Sequence, residues 1–115
     1  MQDLLTERDD YARAMQDQLA RAKESGCQYA RNERDYRVAL AKAILEERDR
    51  GTPVTIIGDI CRGREDVAAL KLARDCSEAV YKADAEAVNV YKLRARIVEQ
   101  QIQREWHSGG VSGEY

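Results

Sequence analysis

Apolar and small residues recur along the first fifty positions in alternating steps of three and four, through Ala12, Met15, Leu19, Ala22, Gly26, Tyr29, Glu33, Tyr36, Leu40 and Ala43. That spacing keeps one stripe on one face of a helix. A long first helix over about residues 4–50 is therefore predicted, with Thr6 and Asp9 as a weak capping signal at its start. Gly26 falls on the stripe, where a missing side chain admits a neighbouring helix. Its propensity cost of about 1 kcal/mol relative to Ala keeps a break at Ser25–Gly26 as the competing reading.

Gly51-Thr52-Pro53 ends this element, because glycine can close a helix and proline cannot continue it. The run Val54–Cys61 is too short for periodicity to separate a buried strand from one helical turn or two. A short helix is favoured, since no second strand exists to pair with it. Thr52 suits its cap, Pro53 its first turn and Gly63 its end.

Glu65 and Asp66 then place acid at the start of another helix, where the helix dipole favours it. Neither proline nor glycine interrupts the chain from Arg64 to Ser108. Its apolar positions run Val67, Leu70, Ala73, Ser77, Val80, Asp84, Ala87 and Tyr91, and again Val88, Tyr91, Ala95, Val98, Ile102 and Trp106. This stripe drifts around the helix. The pattern predicts a long helix over about residues 65–106 and a flexible glycine-rich tail over 107–115.

The expected fold is thus all-α: one domain, residues 1–106, built as a coiled-coil-like antiparallel hairpin of two long helices with a short helical connection, residues 51–64. Two helices bury little apolar surface. Self-association, most simply a dimer forming a four-helix bundle, would supply the rest. Composition agrees, since 43% of the 115 residues are hydrophobic and 35% charged, with one proline and no phenylalanine.

Charge narrows the partners. Residues 1–50 carry ten basic and eleven acidic side chains, residues 51–115 nine and ten, for a net charge of −2. Neither half is the concentrated basic face from which nucleic-acid binding draws its affinity, so general binding of that kind is disfavoured. No apolar run reaches the roughly 20 residues of a membrane span, and MQDLLTERDD lacks the layout of a signal peptide. A soluble, cytoplasmic protein, away from membranes, is expected. Cys27, Cys61 and Cys76, odd in number and widely spaced, suit neither a zinc pattern nor a disulfide framework and read as reduced thiols. Cys27 and Cys76 are expected as small buried hydrophobes, and Cys61 packed beneath the connection.

Three patterns invite a catalytic interpretation. Gly58-Asp59-Ile60-Cys61-Arg62-Gly63-Arg64-Glu65 has the glycine spacing of a phosphate loop but ends in Arg-Glu where Lys and a hydroxyl are needed. Glu46, Glu47 and Asp49 resemble the acidic helix of all-helical nucleotide pyrophosphohydrolases, a remote alternative, yet the second acidic set is missing and adjacent helical residues point about 100° apart. His107 is the sole histidine, so no histidine cluster or triad can form. No enzyme, catalytic residue, metal ligand or cofactor is therefore assigned.

Binding residues are read from the remainder. Tyr29, Tyr36, Tyr81 and Tyr91 fall on helical stripes and read as core, whereas Trp106 ends a helix. Arg48, Arg50, Arg62 and Arg64 gather around the connection, and guanidinium forks suit carboxylate or phosphate partners. Arg48, Arg50, Arg62, Arg64 and Trp106 are the candidate partner-binding residues.

From Tyr29 to Trp106, through the Gly51-Thr52-Pro53-Val54 turn, Gly63 with the Val67-Ala68 helix start, and the closing Glu105-Trp106, the chain resembles small helical proteins encoded by phages and prophages of Gram-positive bacteria. The resemblance implies a host or phage protein as partner, met in the cytoplasm of the bacterial host. It further implies either inhibition or sequestration of a host component, anti-CRISPR-like counter-defence included, or a structural accessory role in phage DNA replication and recombination.

Overall fold

In the computed structural model, residues 1–113 are described, with side chains through Ser108. They form three helices, α1 (Gln2–Asp49), α2 (Val54–Arg62) and α3 (Glu65–Gly113), and among the described residues there is no strand. The all-α expectation of two long helices joined by a short one holds. α1 runs without a break through Gly26, and Val54–Ile60 is helical.

The ends differ in detail. Gly51 takes a left-handed φ of 85° and, with Thr52, returns two backbone N–H groups to the carbonyls of Arg48 and Glu47 at 3.0 Å each. This pair of bonds closes α1 and reverses the chain. Thr52 does not cap α2, because its hydroxyl donates to the Glu47 carboxylate at 2.8 Å. Pro53 takes the capping position instead of the first turn, its extended ψ of 136° leading into the helix. Gly63 follows the end of α2 as expected, but in the right-handed region, with φ −84°. α3 continues past the expected end at Trp106, so residues 107–113 of the expected tail are helical. The tail's last two residues, 114 and 115, lie outside the described residues.

The chain divides into two compact units, and each contains part of both long helices. The first comprises residues 1–22 and 83–115. Here Val88, Val98 and Ile102 of α3 are buried, and Gln18 of α1 is buried beside Asp84. Ion pairs of the Met1 amino group with Glu105 and of Arg8 with Glu99 run in opposite chain directions, so the helices are antiparallel.

The second unit comprises residues 23–82. Its core is Tyr36, Ala43, Ile57, Cys61 and Val67, with Leu40, Ile44 and Leu70 packed against it. Cys61 is fully buried there, as expected, and Ile57 and Cys61, one turn apart, seat α2 on the two long helices. Antiparallel pairing is again fixed by contacts: Tyr29 stacks on Tyr81 at 6.3 Å between ring centroids, and the Asn32 side-chain amide donates to the Ala73 carbonyl. A Cβ on Gly26 would lie 3.1 Å from the Tyr81 ring, so the glycine does admit a close neighbour.

The seams depart from the expected stripes. From Ala22 to Ala43 the first stripe is the inward face, but toward the amino terminus the inward positions are Gln18 and Tyr11, one residue before the expected Leu19 and Ala12, which are exposed. In α3 the inward positions hold an unbroken three–four alternation, Val67, Leu70, Arg74, Ser77, Tyr81, Asp84, Val88, Tyr91, Ala95, Val98 and Ile102. The expected drift came from choosing Ala73, Val80 and Ala87 over their charged or aromatic neighbours. Arg74 is half-buried because its guanidinium lies 4.6 Å from the Tyr36 ring centre and 3.3 Å from Glu33. An arginine whose charge is met by a carboxylate and an aromatic face can occupy a seam. Tyr81 itself lies near the rim, while Cys27 and Cys76, expected inside, are exposed.

Candidate protein-binding surface at the helical connection

Nine residues make α2, and only one of its faces has work to do in the core. With Ile57 and Cys61 directed inward, Ile56 and Ile60, each one residue earlier, are turned about 100° away from the core and are 45% and 40% exposed. Val54, at the amino end of the helix, is 76% exposed. Ile56 and Ile60 lie one turn apart on a single stripe. These are three large aliphatic side chains left 40% or more in solvent on a helix of nine residues.

The four arginines expected at this place have different duties. Arg64 bridges Glu46 of α1 at 2.7 Å and Asp66 of α3 at 3.0 Å. Those two hydrogen bonds push its guanidinium pKa up, and the bond from Arg64, with a second from the Val67 backbone N–H, holds the Asp66 carboxyl below its ordinary value. Arg64 is thus a strut between the long helices of its unit. Arg50 donates to the buried Glu47 carboxylate at 2.9 Å, the same group that accepts from Thr52. Arg62 lies back along α2 across Gly58 toward Asp59, 3.6 Å away, and remains more than half exposed. Arg48 is exposed and has no ion pair among the described residues. Arg48, Arg50 and Arg62 are all exposed, whereas Arg64 is half-buried in its strut.

Trp106 belongs to the other unit. It is 72% exposed and, with Met1, Leu5, Ile102 and His107, lines a concavity of about 440 Å³. It forms a separate apolar surface.

The patterns that invited catalysis are placed as follows. Gly58–Arg62 of the phosphate-loop-like run is helical, so its backbone N–H groups are directed along α2 and do not cradle an anion. Glu46 and Glu47 diverge, one outward to Arg64 and one inward to Thr52 and Arg50. Among the described residues no three His, Cys, Asp or Glu side chains converge as metal ligands, and no helix is long and apolar enough to cross a membrane. The exposed face of α2 had a signal in the sequence: Ile56-Ile57 is an adjacent apolar pair, and a short helix packed on one side can bury only one of them.

No family model matches the chain, and no curated protein or solved structure is significantly similar to it.

Proposed function

We propose that the chain is a non-enzymatic helical binding protein that docks a protein partner on the outward face of α2. The observation that carries this reading is the exposure of Val54, Ile56 and Ile60 on the short helix α2, which also carries the exposed Arg62. Large aliphatic side chains left in solvent are surface that a partner can bury, and arginines near such a patch add charged contacts from which water is then excluded. The partner is of host or phage origin, and its inhibition or sequestration, counter-defence included, is the use that the resemblance to small phage proteins supports.

Affinity capture from a Gram-positive host lysate tests it, comparing the parent with Ile56→Glu and with Arg48→Glu/Arg62→Glu. These positions are exposed, so the helical circular-dichroism signal should be unchanged while the captured protein is lost. Arg64 is left intact because reversing it would disturb the strut between α1 and α3. Capture undiminished in both variants would overturn the assignment.

A further inference from the structure

α3 carries a second apolar stripe. Two residues beyond each inward position lies an outward one, and these run from Ala69 to Ile97 in the same alternation of three and four. All are exposed, and Glu86 is the sole polar member. The bulky ones are Leu72, Val90, Leu93 and Ile97. On α1 the corresponding outward positions between Gln28 and Asp49 are mostly charged or amide, only Val38 and Leu45 being apolar. Solvent exposure alone does not maintain a heptad, and a sustained heptad on an exposed face is the pattern by which helices pair.

We propose that this face of α3 packs antiparallel against the same face of a second copy. The order of sizes sets the direction. Small residues, Ala69, Cys76, Ala79 and Ala83, predominate in the first half of the stripe, with Leu72 the one bulky member there, and Val90, Leu93 and Ile97 fill the second. Antiparallel pairing sets Cys76 and Ala79 against large residues and only Leu72 against another, Ile97 of the partner subunit; parallel pairing would set every large residue against its own copy, and Glu86 likewise.

Charge sets the register. With Cys76 opposite Leu93 of the partner subunit, Ala79 meets the partner's Val90, and Glu86 faces the partner's Ala83. At the flank, Asp75 then approaches Arg96 of the partner subunit, and Lys82 approaches the partner's Asn89. A shift of one heptad either way brings Lys82 against the partner's Lys82 or the partner's Arg96, a like-charge contact that disfavours both. Within its own chain Asp75 already accepts from Arg74 and Lys71, while Arg96 has no ion pair among the described residues. This surface is distinct from the outward face of α2, and either assignment can fail alone.

Cysteine cross-linking tests the register. In a Cys27→Ser background, which removes the other exposed thiol, Leu93→Cys should convert nearly all chains to a covalent dimer under diamide, through two bridges between position 93 and Cys76 of the partner. The background protein should remain monomeric on the same non-reducing gel. In the proposed register its two Cys76 residues are 17 positions apart along the paired helices, about 25 Å, whereas a disulfide requires α-carbons within about 7 Å. Leu93→Glu should abolish the dimer in sedimentation at unchanged helicity. Cross-linking through Cys76 alone would demonstrate a parallel arrangement and overturn the proposal. So would an uncross-linked Leu93→Cys variant, or a sedimentation mass that Leu93→Glu does not change.

Discussion

Val67 and Val80 both lie on α3 within the same unit, and both fall on the apolar stripe read from the sequence, yet they are 1% and 55% exposed. Replacing each by Ala isolates what the seam contributes. At Val67, two buried methyl groups are removed, a transfer loss of about 1.6 kcal/mol at about 0.8 per group. The residual cavity among Tyr36, Ala43, Ile57 and Cys61 adds about 1 kcal/mol, and the better helix propensity of Ala offsets about 0.5. Val67→Ala should therefore cost about 2 kcal/mol, a fall of roughly 8 °C in Tm for a chain of this size. For Val80→Ala the transfer loss is about halved and the propensity gain is the same, so the change should stay within about 0.5 kcal/mol. Urea titration of both variants at one protein concentration, followed by circular dichroism, measures the difference. Equal costs at the two positions would refute the heptad seam Val67–Leu70–Arg74–Ser77–Tyr81.

Further outcomes follow from the same contacts. Gly51→Ala should cost about 1 kcal/mol through the left-handed backbone alone, since no atom would crowd the new Cβ, and Gly51→Asn should cost less. Gly26→Leu should lower the urea midpoint by overpacking against Tyr81, at a cost of about 1–3 kcal/mol. Glu33 is held below its ordinary 4.5 first by the Arg37 hydrogen bond, and Asp66 and Asp75 below 3.8 first by Arg64 and Arg74. Depressed carboxylates contribute stability that is complete above the ordinary values and lost as pH falls through the folded ones. The thermal midpoint should consequently fall between pH 5 and pH 2, less so in 1 M salt, and a midpoint independent of pH over that range would refute these pairings.

Much of this fold was legible because long helices announce themselves by spacing and because Gly51 and Pro53 permit few alternatives. The seams were less legible where polar groups lie inward. Gln18 is buried because its amide donates to the Asp84 carboxylate at 3.1 Å and to the Asp84 carbonyl at 3.2 Å, so the more apolar Leu19 remains outside. Arg74 displaced Ala73 from the seam for a similar reason, the nearness of Glu33 and the Tyr36 ring. Hydropathy cannot register a charge that is matched across a helix pair. The candidate surface was located by its arginines, but sequence could not assign Arg64 to the fold and Arg48 to solvent. That distinction depends on which carboxylates the turn at Gly51 brings near.

Hydrogen exchange of the chain alone and with its captured partner tests most directly whether the outward face of α2 is the docking surface. Slowed exchange is expected in peptides covering residues 48–62, with no change over residues 83–108. Unchanged exchange across 48–62, with slowing confined to the region around Trp106 or along α3, would contradict the assignment.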